Sequence, residues 1–211
     1  MLSSEHTIQR LSETASPSNP LNGEAIVMVG SFAPIHPGHL DALDAAYKVL
    51  HEQEQVGSLI LVPNSEEYVG DKFDGQNYGW TYQKRVDAIT QQTNRLPIPA
   101  SVDDISGLRA RHEQINSHVP VTLQQHLGLS ASQLFFVVGS DQLVSMETHL
   151  ATDTNNAVCV LRPGNLDKIT EQLEQDWAKR ALEERRLVIT ERANMVEDIS
   201  STAIRKLSIV V

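Results

Sequence analysis

Two histidines three positions apart, His36 and His39, stand in the run Gly30-Ser31-Phe32-Ala33-Pro34-Ile35-His36-Pro37-Gly38-His39-Leu40, with a glycine directly before the second. An apolar stretch precedes the run and a helical pattern follows it, so both imidazoles fall at a helix start. The first amide N–H groups of a helix have no partner within it and carry the positive end of its dipole, which makes such an end a site for phosphate. Both rings can donate hydrogen bonds to phosphate oxygens, and Gly38, bare of a side chain, lets a flat base come close to the backbone. A zinc site on the same pair has no third ligand at suitable spacing. A second hydroxyl-rich helix start lies near the other end of the chain, at Ile199-Ser200-Ser201-Thr202-Ala203-Ile204-Arg205-Lys206. Ser200 or Ser201 suits its N-cap, and Arg205 follows about one turn on, which gives another place for an anion.

The elements that must position these residues can be read from the apolar runs. Residues 25–29, 58–62, 98–102, 134–138, 157–161 and 187–189 are short apolar runs rich in Val, Ile, Leu, Phe and Ala, the third of them interrupted by Pro99 and Ser101. Such runs, separated by helical segments, are the pattern of strands buried on both faces of a parallel sheet. The spacing predicts helices over 38–54 and 81–93, a long polar loop between the second strand and residue 81, and one amphipathic helix over 167–186 with Ile169, Leu173, Trp177 and Leu182 on its apolar stripe. Residues 1–23, rich in Ser, Thr, Asn and Pro, read as a mobile arm with a short helix near 8–11. The expected fold is α/β: residues 24–211 as one Rossmann-like, doubly wound parallel sheet of five or six strands with helices on both faces. Ligands of such sheets sit beyond the carboxyl ends of the strands, so the residues directly after each strand matter most.

Composition narrows the partners. The 211 residues carry 17 Lys+Arg against 27 Asp+Glu, a formal charge of −10, which argues against a nucleic-acid protein with a broad basic surface. A polyanionic ligand therefore needs positive charge concentrated in one place. No stretch reaches the roughly 18 consecutive apolar residues of a membrane helix, and the start of the chain lacks a secretory pattern, so an intracellular protein, cytoplasmic or nuclear, is expected. The single cysteine, Cys159, lies in an apolar run and reads as a buried, inert thiol. The assembly state is left open, a homo-oligomer included.

Taken together, the run from Gly30-Ser31-Phe32 to His36-Pro37-Gly38-His39 and the run Ile199-Ser200-Ser201-Thr202-Ala203-Ile204-Arg205 resemble the signature pair of the HxGH nucleotidyltransferases, specifically the nicotinamide and nicotinate mononucleotide adenylyltransferases. Intervening landmarks are similar: Val62-Pro63-Asn64 with Lys72 beyond it, Arg85 near a helix start, Gly139-Ser140-Asp141, and Arg162-Pro163-Gly164-Asn165. The resemblance implies transfer of the AMP moiety of ATP, as its Mg²⁺ complex, to a phosphorylated small molecule such as a pyridine mononucleotide. It implies that His36 and His39 contact the ATP phosphates, that Ser200, Ser201, Thr202 and Arg205 hold the β and γ groups, and that Lys72 bridges phosphates near the junction of the two substrates. Gly30, Ser31, Phe32 and Gly38 would line the nucleotide, Gly139 and Asp141 would border the adenosine, and Arg162 and Asn165 would face the second substrate. Asp141 is equally placed to cap a helix. The family's stacking aromatic is missing from Gln142-Leu143-Val144-Ser145-Met146-Glu147, which leaves Trp80 and Tyr82 to take a pyridine ring.

Overall fold

The computed structural model describes residues 9–10, 24–51, 56–73, 79–93, 96, 100–103, 115–152, 154–162 and 166–192. The strands are β1 (Gln9–Arg10), β2 (Glu24–Gly30), β3 (Val56–Pro63), β4 (Ala100–Val102), β5 (Leu134–Gly139), β6 (Asn156–Leu161) and β7 (Leu187–Glu191). They form one sheet in the order β1-β4-β3-β2-β5-β6-β7, with every pairing parallel. The helices are α1 (Pro37–His51), α2 (Glu66–Lys72), α3 (Tyr82–Thr93), α4 (Ile115–Leu127), α5 (Glu147–Ala151), α6 (Thr170–Leu173) and α7 (Asp176–Glu183). The expected doubly wound α/β architecture is what the chain adopts: six strands, β2 to β7, with the two-residue β1 added beside β4.

Period-two alternation divides each central strand between two cores. Ala25 and Val27, Ile60 and Val62, Phe136 and Val138, and Ala157 and Cys159 face one side, where α4, α5 and α7 cover them. Ile26 and Met28, Leu59 and Leu61, Phe135 and Val137, and Val158 and Val160 face the other side, against α1 and α3. A strand buried on both faces has no polar side to alternate with, which is why these segments read as unbroken apolar runs. Burying strands this completely also forces the chain to emerge at their ends, where polar residues resume.

From β2 the chain proceeds outward through β3 to β4, whereas β5, β6 and β7 build outward on the opposite flank. Strand order thus reverses between β2 and β5. At such a reversal the connections leave the sheet toward opposite faces and open a crevice beyond the carboxyl ends of the two strands. Register keeps those ends level: Gly30 lies opposite Pro63, Gly139 opposite Val160, and Leu161 opposite Glu191.

Several local expectations change. Within the stretch expected as a short helix near residue 8, Gln9 and Arg10 instead pair with Ser101 and Val102 as strand. The polar loop after β3 contains α2, started by Ser65, whose hydroxyl accepts from the Tyr68 N–H at 3.1 Å, with Glu66 and Glu67 favourable to the dipole in its first turn. Only Val69 of this helix is buried, so it carries no apolar periodicity to betray it. The single helix over 167–186 is broken into a 3₁₀ turn at Leu166–Ile169 followed by α6 and α7. Extended backbone at Gln175 (φ −69°, ψ 146°) resets the phase, so Ala178 and Ala181 enter the core while Leu182 stays exposed. Trp177 packs against the core as its stripe position implies.

Candidate functional site

The site starts from the turn that ends β2. Phe32 has a left-handed backbone (φ 44°), and its buried ring folds back over Gly30, where an added Cβ would lie 3.1 Å from two ring carbons. A side chain at position 30 would need the buried ring to give by a few tenths of an ångström, so the bare glycine eases this close approach. The Ala33–Pro34 peptide is cis, and Pro37 supplies the first residue of α1, where its missing N–H costs no intrahelical bond.

His36 therefore sits at the cap position and His39 at the third helical residue. The His39 N–H donates to the His36 carbonyl at 2.9 Å, and the His36 N–H donates back to His39 Nδ1 at 3.2 Å. The second bond is one half of a capping box, with an imidazole where Glu or Gln usually stands, while the His39 N–H goes to the cap carbonyl rather than to the cap side chain. Because Nδ1 accepts a backbone N–H, the neutral ring must carry its own proton on Nε2, which makes Nε2 a donor. Ring centroids of His36 and His39 lie 3.8 Å apart, and Phe32 meets His39 edge-on at 5.2 Å. Burial first, then the neighbouring His36, Arg192 and Lys72, push the His39 pKa down to about 3. His39 is thus an uncharged hydrogen-bond donor at neutral pH and a very weak base.

Gly38 has a role beyond the one expected from the sequence. A Cβ there would come within 2.9 Å of Arg192 Nη1 and 3.1 Å of two His36 ring atoms. The close approach it permits in this structure is that of a guanidinium and an imidazole. Arg192 directly follows β7, and its N–H donates to the Leu161 carbonyl at 3.1 Å, which extends the β6–β7 pairing by one residue. Lys72 ends α2 on an exposed position, 5.8 Å from the centroid of the Phe73 ring. It is a helix terminus rather than a loop residue.

Arg85, in α3, is the fixture beneath the site. None of its surface is exposed, and Nη1 donates at 2.8 Å both to the Ser31 carbonyl and to the Asn64 carbonyl. One guanidinium therefore ties the turn after β2 to the turn after β3. The Asn64 N–H donates to the Gly30 carbonyl at 2.9 Å and reinforces the same junction. Burial lowers the Arg85 pKa from its ordinary value, while Tyr82 and Glu66 act in the opposite direction. The Tyr82 ring lies 5.3 Å under the Arg85 guanidinium and packs against the second core, so this aromatic is engaged in structure. Trp80 is partly buried just before α3.

Across the reversal point, Gly139 ends β5. A Cβ on it would lie 2.7 Å from Asp141 Oδ1, so the bare glycine makes room for that carboxylate. Asp141 caps no helix: the 3₁₀ turn Leu143–Met146 begins after Gln142 without a side-chain cap. The Cys159 thiol behind it is fully buried, with its pKa pushed up to about 12 chiefly by burial, which leaves it inert. Arg162 is exposed directly after β6, beside the end of β7. Asn165, Ser200, Ser201, Thr202 and Arg205 lie outside the described residues. Among the described residues no group of three or more His, Cys, Asp or Glu side chains is placed to hold a metal ion, and no helix is long and apolar enough to cross a membrane.

The structure thus brings Phe32, His36, Gly38, His39 and Lys72 together, adds Arg192 and Arg85, and sets Gly139 and Asp141 at the adjoining strand end. A histidine-bearing helix start at the reversal point of a doubly wound sheet defines a nucleotide-handling α/β protein. The chain belongs to the cytidylyltransferase-like family, which it matches over residues 27–207. It is accordingly a nucleotidyltransferase, with a nucleoside triphosphate and an acceptor as its substrates. Comparison with curated proteins finds no significant match.

Two outcomes are expected from this geometry. Arg85→Leu removes the donor from the buried Asn64 carbonyl and the part-buried Ser31 carbonyl and should cost about 2–5 kcal/mol in urea unfolding; a loss below about 0.5 kcal/mol would contradict the clamp. His39 should remain neutral, protonated on Nε2, down to about pH 4 in a nitrogen-15 NMR titration, its depressed pKa being set against His36, Arg192 and Lys72. Since unfolded His39 titrates near its ordinary 6.5, its effect on stability is constant above that pH and turns destabilising as pH falls from 6.5 toward 3. A titration midpoint near 6.5 in the folded protein would refute this environment.

Proposed function

We propose that the protein is an adenylyltransferase that joins the AMP moiety of ATP to nicotinamide or nicotinate mononucleotide and releases pyrophosphate. The observation that carries this reading is the placement of His36 and His39 at the start of α1, their rings 3.8 Å apart and the His36 N–H donating to His39 Nδ1, with the Arg192 guanidinium beside them. The choice of a pyridine acceptor draws on the similarity of Gly139-Ser140-Asp141 and Arg162-Pro163-Gly164-Asn165 to the mononucleotide adenylyltransferases.

In the proposed reaction an oxygen of the mononucleotide phosphate attacks the α-phosphorus of ATP. A new P–O bond forms there, the bond from the α-phosphorus to the bridging oxygen breaks, and pyrophosphate leaves with the electron pair. The second pKa of a phosphate monoester is about 6, so the nucleophile is largely ionised at neutral pH and needs no general base. A His39 with a pKa of about 3 suits that requirement, because it contributes a fixed donor rather than a proton acceptor. The remaining barrier is alignment of two anions and stabilisation of charge growing on the leaving group, which fixed donors at a helix N-terminus supply. Mg²⁺ bound to the triphosphate would neutralise part of its charge. The exposed Asp141 carboxylate, held over Gly139, is the described group suited to meet it. Ser200, Ser201, Thr202 and Arg205 are assigned to the β and γ phosphates by the resemblance alone.

A second reading, transfer to another phosphorylated acceptor, is favoured by one observation. The turn after Asp141 has no aromatic side chain, and the Tyr82 ring is committed to Arg85, which leaves little to stack on a pyridine.

Pyrophosphate release in the presence of ATP, Mg²⁺ and a panel of phosphorylated acceptors tests both. Release with a pyridine mononucleotide supports the first reading, release only with another acceptor supports the second, and no release contradicts catalysis. His36→Ala is expected to lower turnover at least about a hundredfold while ATP binding falls less, since a donor aimed at developing charge is worth ~2.7–4 kcal/mol. Unchanged turnover in the folded variant would refute the assignment of His36.

A further inference from the structure

Arg192 was not among the residues that the motifs single out, yet it reaches the centre of the site. Its backbone is fixed by the bond to Leu161 at the end of the β6–β7 pairing. Its Nη1 stands 2.9 Å from the point where a Gly38 side chain would begin, beside the His36 ring. α1 contacts β6 and β7 as well as β2, which explains how a residue at the far flank of the sheet meets the first turn of a helix that follows β2. Arg192, Lys72 and His36 also act on His39 with the same electrostatic sign.

Cationic groups gathered on the positive end of a helix repel one another, and what offsets that repulsion is an anion bound among them. Gly38, bare of a side chain, is what admits the guanidinium to the first turn beside the His36 ring. A polyphosphate laid along the first turn uses all of these features. The planar guanidinium offers several N–H donors in a fixed fork that matches phosphate oxygens in pairs, and a residue anchored on a strand holds that fork at little further entropic cost.

We infer that Arg192 is a phosphate-contacting residue of the nucleotide site, gripping the triphosphate from the β7 side opposite Lys72. This rests on the nucleotidyltransferase reading of the site and adds a residue beyond the motif pair. It also places a contact outside both motifs, directly after β7, where Gly38 is the feature that admits it.

The test compares the wild-type chain with R192A and R192K in calorimetric titrations of ATP, inorganic tripolyphosphate and uncharged adenosine, with thermal unfolding of each variant measured alongside. R192A should weaken ATP and tripolyphosphate at least about tenfold, leave adenosine within about twofold, and unfold near the wild-type temperature. R192K should recover part of the loss, since it restores the charge without the fork. Equal tripolyphosphate binding by wild type and R192A would overturn the inference. So would equal weakening of ATP and adenosine, which would mark Arg192 as a packing residue. Should R192A fail to fold, R192K carries the same comparison: unchanged tripolyphosphate affinity and unchanged salt dependence in R192K would overturn the paired contact. If wild type binds tripolyphosphate in an Arg192-dependent way yet transfers no adenylyl group to any acceptor, the inference stands and the proposed function falls.

Discussion

The hydrogen bond from the His36 N–H to His39 Nδ1 is a small interaction on which the chemistry of the site depends. It satisfies a backbone donor at the start of α1, and by occupying Nδ1 it dictates the tautomer. The two rings lie 3.8 Å apart, and His36 is among the neighbours that lower the His39 pKa. A histidine that caps its own helix in this way cannot serve as a base and becomes a fixed, neutral donor. Preorganisation of that kind suits phosphoryl chemistry, in which the nucleophile is already ionised and the work is alignment.

The rest of the molecule keeps that turn in place. The left-handed Phe32 packs its ring over Gly30, and Arg85 draws the carbonyls of Ser31 and Asn64 to one guanidinium beneath it. Because β2 and β5 are neighbours at the point where strand order reverses, the histidine turn and the Gly139–Asp141 turn open onto a common crevice. The acidic balance of the chain is compatible with a polyanionic substrate on these terms, since salt screens the distant field within about 8 Å and the local groups dominate.

Much of this was readable in the amino-acid sequence, for identifiable reasons. Strands buried on both faces leave uninterrupted apolar runs, so the sheet could be anticipated strand by strand. The spacing of His36 and His39 after the first run located the helix start. Arg192 escaped notice because β7 is longer than its apolar run: Thr190 and Glu191 are polar yet pair with Val160 and Leu161, which moves the strand end to the arginine. The sequence marks Arg85 as a landmark near a helix start, but its two carbonyl partners are 54 and 21 residues away and leave no local trace. α2 and the break at Gln175 are set by single polar residues, Ser65 and Gln175, which leave no periodic trace. The hydroxyl-rich run around Ser200 lies outside the described residues.

The most direct measurement is a crystal structure of the protein with a non-hydrolysable ATP analogue and Mg²⁺. The phosphates should lie along the first turn of α1, with an oxygen about 3 Å from His39 Nε2 and the ring of His36 alongside. A triphosphate bound away from that turn, with His39 Nε2 turned from every phosphate oxygen, would contradict the assignment of this helix start as the nucleotide site.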